Sequence, residues 1–76
     1  MKTFNITLNS IMDVKEFVNI VNRFPYEIDL TSSRYVVDAK SIMGIFSLDL
    51  SKPIKVDVHS DECDDLLEEL KKYMTE

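Results

Sequence analysis

The chain has 76 residues, enough for one small domain and too few for a deep, enclosed active site. Acids outnumber bases 14 to 9, a formal net charge of −5, and the bases are scattered. That excludes nucleic acid as the main partner, because a phosphate backbone needs clustered Lys and Arg, while the 45% hydrophobic content excludes a disordered chain.

Phe4, Ile6 and Leu8 alternate with Thr3, Asn5 and Thr7, the period of a strand with one buried face. Asn9-Ser10 breaks the alternation, and Ser10 with Asp13 forms a capping pair for a helix expected to reach about Phe24. Val14, Phe17, Val18 and Val21 give that helix its core face. Pro25 stops it, since the residue before a proline avoids the helical region. Ile28 and Leu30 mark a second strand. The polar turn Thr31-Ser32-Ser33-Arg34 folds it back onto Tyr35-Val36-Val37-Asp38 as a hairpin.

Ser41 then caps a short helix expected to end near Leu48, which contains the only glycine of the chain, Gly44. Ile45 and Leu48 are its expected core residues. Gly44 is expected to allow close helix packing, since a single glycine does not make a phosphate loop. Asp49 to Pro53 connect to a last strand with Ile54, Val56 and Val58 facing inward and Lys55, Asp57 and His59 outward. Ser60 and Asp61 are expected to cap a final helix to about Met74. Its apolar stripe is Cys63, Leu66, Leu67, Leu70 and Met74, and its acidic first turn suits the helix dipole.

The element order β-α-β-β-α-β-α predicts an α+β fold for residues 1–76: one four-stranded antiparallel sheet with three helices on a single face. The bare face would carry Asn5, Thr7, Glu27, Asp29, Lys55, Asp57 and His59. The lone Cys63 allows no internal disulfide and points to a reducing compartment. It is expected half-buried, without a base to activate it. One His and one Cys leave metal coordination incomplete, and no cofactor motif is present. No signal peptide opens the chain, and no apolar run reaches the roughly 20 residues that span a bilayer. A cytoplasmic protein is expected.

The element order and the string Lys40-Ser41-Ile42-Met43-Gly44-Ile45-Phe46-Ser47-Leu48 together resemble HPr, the histidine-containing phosphocarrier of the bacterial sugar phosphotransferase system. The resemblance runs over the whole chain, without gaps from about Phe17 onward, and implies the open-faced β-sandwich of that family. It implies that Ser41 is a regulatory serine phosphorylated by a dedicated ATP-dependent kinase. It also implies that Ile42, Met43 and Phe46 form an exposed apolar patch that docks partner proteins: the HPr kinase/phosphorylase, a transcription regulator or a metabolic enzyme.

One segment departs from the family. An HPr carries a Gly-Ile-His-Ala-Arg-Pro-like stretch at the start of its first helix, whereas this chain reads Leu8-Asn9-Ser10-Ile11-Met12-Asp13-Val14-Lys15. Counting back from Ser41 puts Ser10 at the place of the phosphohistidine. No His or Arg lies nearby, and Asp13 would repel a phosphate. Phosphoryl relay needs a nitrogen nucleophile with a near-neutral pKa and a labile product, and a serine ester is too stable. His59 is expected at the far end of the last strand. The resemblance therefore implies a non-enzymatic regulatory binding module, like the catabolite-repression HPr-like regulators that also lack the histidine. An edge of the four-stranded sheet could pair between chains, so a monomer or weak dimer is expected. A phosphocarrier and a drifted paralogue without phosphorylation are the alternatives.

Overall fold

In the computed structural model, which describes residues 1–32 and 34–75, the apolar and polar alternation of each strand becomes the two faces of one sheet. The strands are β1 (Lys2–Ile6), β2 (Ile28–Ser32), β3 (Tyr35–Asp38) and β4 (Ile54–Val58), and the helices are α1 (Ile11–Asn22), α2 (Ile42–Phe46) and α3 (Asp64–Leu70). A 3-10 turn, Lys71–Tyr73, follows α3. The sheet order is β1-β4-β2-β3, with every neighbouring pair antiparallel. The expected open-faced sandwich is what the chain forms.

Registers place Phe4 opposite Val56 and Val56 opposite Leu30, with Ile6–Ile54 and Val58–Ile28 beside them. These side chains make a single apolar sheet face. Val14, Phe17, Ile20 and Val21 of α1, Ile45 of α2, and Leu66 and Leu70 of α3 cover it in one buried cluster. Each such side chain contributes roughly 1.5–3 kcal/mol when taken fully out of water. The ion pairs lie at the surface, Arg23–Glu69 at 3.5 Å and Lys72–Glu16 among them, and such pairs contribute only about 0–1 kcal/mol each. The sheet-to-helix interface therefore holds the fold.

The opposite face is polar. Thr3 donates its hydroxyl to Asp57 at 2.9 Å, and Asp57, Asp29 and Asp38 stand side by side on β4, β2 and β3. His59 follows β4 and reaches the Asp29 carboxylate at 2.8 Å. Thr7 belongs to the rim, since it lies beyond β1 and its N–H bonds the Tyr73 carbonyl.

Element ends differ from the sequence expectation for local reasons. β1 stops at Ile6, although Leu8 beyond it is fully buried. α1 ends at Asn22 with Arg23 as its cap, two residues short of Phe24, and Phe24 stacks on Tyr26. α2 ends at Phe46, where the Ser47 hydroxyl bonds the Gly44 carbonyl at 2.6 Å. α3 starts at Asp64, with Cys63 at the cap position and no side-chain capping bond. The expected caps are used elsewhere: Ser60 Oγ accepts from the Glu62 N–H in a tight turn, and the Asp61 carboxylate pairs with the Met1 ammonium. β2 extends to Ser32, and the Ser33 position of the expected turn lies outside the described residues.

Candidate functional site

Ser41 sits where the chain leaves the hairpin and enters α2. The Asp38 carbonyl accepts from its N–H at 3.0 Å, and the Asp38 carboxylate accepts from Lys40 N–H at 2.8 Å. This turn sets Ser41 in extended backbone, φ −100° and ψ 104°, so that its Oγ accepts from the Gly44 N–H at 3.2 Å. Ser41 is exposed, so the hydroxyl is an N-cap open to solvent. A first turn leaves backbone N–H groups without helical partners, here those of Ile42 and Met43. The helix carries no charged residue in either end turn. Its backbone dipole is then the local attraction for an anion.

Lys40 stands next to Ser41 in the chain. Its Nζ is held by the Phe24 carbonyl at 2.8 Å, where it ties the end of α1 to the α2 entry. The next acidic group in the chain, Asp49, closes its own turn. The Ser51 hydroxyl and N–H both donate to it and hold its carboxyl below the usual range.

Gly44 explains the close approach of α2 to the sheet. A Cβ at this position would meet Ser41 Oγ and Val37 Cβ, each at 3.2 Å. Ile45 and Leu48 enter the core as expected. Met43 is 77% exposed and Phe46 40% exposed. Ile42 is only half-buried and packs against the core, so it rims the apolar patch and does not project from it. The three residues thus divide into two that face solvent and one that supports them.

Ser10 caps α1. Its Oγ accepts from the Asp13 N–H at 3.2 Å, and the Asp13 carboxylate accepts from the Asn9 N–H at 3.0 Å. The expected pairing is present, with Asp13 reaching back one residue before the cap. An open depression of about 420 Å³ beside it is lined by Leu8, Asn9, Ser10, Ile11, Leu50 and Ser51. None of these can act as a general base or carry a phosphoryl group on nitrogen. His59 stands at the opposite end of the sheet: β1 and β4 run antiparallel, and His59 follows Val58, the partner of Lys2, whereas Ser10 follows the other end of β1.

Sequence reasoning missed Ile11 and Met12. Both are large and apolar, and both are exposed, at 61% and 71%. α1 and α2 are in contact, and each offers apolar groups to solvent, Ile11 and Met12 on α1 and Met43 and Phe46 on α2. Met12 lies off the stripe of Val14, Phe17 and Val21, which is the signal that could have found it. Ile11 lies on the stripe by spacing, but it occupies the first turn. Cys63 is fully buried, not half-buried, and burial pushes its thiol pKa up, which leaves it inert. Among the described residues, no group of acids, His and Cys is placed to hold a metal ion. No helix of the described residues is long and apolar enough to cross a membrane.

Comparisons with known proteins agree with this geometry. The family model of the PTS HPr component phosphorylation site matches residues 13–76. Comparison with curated protein sequences gives no match. Among solved structures, the HPr-C-His protein of Thermoanaerobacter tengcongensis superposes with a TM-score of 0.79 at 26% identity, over 95% of this chain and 89% of that one. The phosphocarrier protein HPr of Bacillus anthracis gives 0.72 at 28% identity, over 97% and 94%. Crh of Bacillus subtilis, a catabolite-repression protein seen as a domain-swapped, intertwined dimer, gives 0.68 at 28% identity, over 90% and 80%. The matched span holds every strand but β1 and nearly all of α1, together with the Ser41 cap and α2, and the chain belongs to the HPr family of the sugar phosphotransferase system.

Proposed function

We propose that this HPr-family chain is a regulatory protein-binding module that works through α2 and is switched by phosphorylation of Ser41. The observation that carries the reading is the exposed Ser41 cap at the head of a helix that turns Met43 and Phe46 to solvent. Met suits a docking surface because its flexible, polarizable side chain adapts to a partner. A phosphate on Ser41 would add about −1.5 to −2 charges beside that patch. It would sit at the positive end of the helix dipole, so the modification disturbs the helix little while changing what the patch can bind. The partners are proteins: the HPr kinase/phosphorylase, and a transcription regulator or metabolic enzyme that reads the phosphorylated surface. The chain performs no catalysis of its own in this reading.

The likeness to a phosphocarrier HPr favours a second reading, relay of a phosphoryl group. Ser10, Ile11 and Met12 supply neither the nitrogen nucleophile nor the cation that such relay needs. Incubation with HPr kinase/phosphorylase and ATP, followed by peptide mapping, tests the switch. One phosphate on Ser41 is expected, absent in Ser41→Ala. An unmodified chain would sink the switch.

A further inference from the structure

The two edges of the sheet are treated differently. At the β1 edge the C-terminal segment pairs with the strand: Thr7 N–H bonds the Tyr73 carbonyl, Thr75 N–H bonds the Asn5 carbonyl, and Ile6 bridges Met74. At the other edge, Tyr35 is 67% exposed and Val36 63% exposed. The ladder fixes which backbone groups remain there. Ala39 N–H bonds the Ile28 carbonyl at 2.9 Å, so by alternation Val37 and Tyr35 bond β2, opposite Leu30 and Ser32. Val36 and Asp38 then point their N–H groups outward. Among the described residues, nothing pairs with the outward N–H and C=O of Val36. An open edge with exposed apolar side chains is a template for another strand.

The edge is also complementary to itself. It reads Arg34-Tyr35-Val36-Val37-Asp38, a base and an acid equally spaced about Val36. We propose that two copies of this chain associate through β3, antiparallel, with Val36 opposite Val36 of the second copy. In that register both Val36 residues bond through their outward N–H and C=O groups. Arg34 faces Asp38 of the second copy, and the reverse. Asp38 already accepts from Lys40 N–H through one carboxylate oxygen, which leaves the other for the guanidinium. Tyr35 lies across from Val37, an aromatic and β-branched pair of the kind that stabilises neighbouring strands. Each Arg34 also extends the row Asp57, Asp29, Asp38 with a positive charge where three carboxylates stand adjacent. The pairing is independent of the Ser41 reading. With only the four residues of β3 to pair, the association is weak.

Sedimentation over a concentration series, with amide hydrogen exchange, tests it. The native chain is expected to dimerise reversibly, with the Val36 amide protected as concentration rises. Val36→Pro removes only an outward donor, which edge strands tolerate, and is expected to weaken association about tenfold or more. Arg34→Asp and Asp38→Arg each place like charges in register and are expected to be monomeric alone. Mixed together they restore both Arg–Asp pairs and are expected to form a heterodimer, which keeps the test decisive if the proline variant does not fold. A chain that stays monomeric to about 1 mM, a dimer indifferent to Val36→Pro such as one made by exchanging an element, or a mixture of the charge variants that stays monomeric would each overturn the proposal.

Discussion

Gly44 and Ser41 act as one unit. The Cβ that alanine would add meets the Ser41 capping oxygen and the Val37 Cβ at 3.2 Å. Helix propensity favours alanine by about 1 kcal/mol, yet Val37 is fixed in β3 and Ser41 Oγ is fixed by its cap. Gly44→Ala is therefore expected to lower stability in urea denaturation, against the propensity trend. Ser41→Ala is expected to cost about 1 kcal/mol through the lost cap, whereas Ser41→Asp, which can still accept the Gly44 N–H, is expected to cost little. Cys63 gives a pH prediction. Burial raises its pKa, so the folded chain keeps the proton after the unfolded chain has lost it. Its contribution is complete below the unfolded thiol pKa and declines as pH rises from there through the folded value. Alkylation of Cys63 near neutral pH should follow global unfolding, and Cys63→Ala should flatten the alkaline limb of the stability profile.

Within α2, two side chains face the core or solvent so clearly that substitutions should separate folding from docking. Ile45 is fully buried, and Ile45→Ala is expected to cost about 2–5 kcal/mol. Met43 is exposed, and Met43→Lys is expected to change stability by less than about 0.5 kcal/mol while abolishing partner capture. Paired measurement of unfolding midpoints and of binding to the HPr kinase/phosphorylase checks both. The elements themselves were legible because their signals are local: alternation in Ile54-Lys55-Val56-Asp57-Val58, a capping hydroxyl at Ser10, a stop at Pro25. What was not legible depended on tertiary partners. The sequence pattern offered Asp61 as a cap, but the Met1 ammonium takes its carboxylate. It placed Lys40 beside Ser41, but the Phe24 carbonyl takes its ammonium. Ile11 carries the right spacing for burial, yet it is exposed at the first turn of α1.

Across the whole molecule, period-2 strands and one-sided helices left few packings open, and the β1-β4-β2-β3 order with helices on the apolar face is the one adopted. The candidate site was legible in its residues and less so in its shape. Ser41 is an exposed cap, Met43 and Phe46 face solvent, Ile42 is drawn toward the core, and Ile11 and Met12 are exposed at the start of α1. In the proposed reading this chain docks partners and does not relay phosphoryl groups. Exposure to enzyme I and labelled phosphoenolpyruvate, in one tube with a histidine-bearing HPr, tests this most directly. Intact-mass measurement is expected to find an acid-labile phosphoryl group on the histidine-bearing protein and none on this chain. An acid-labile phosphoryl group on this chain would contradict the account.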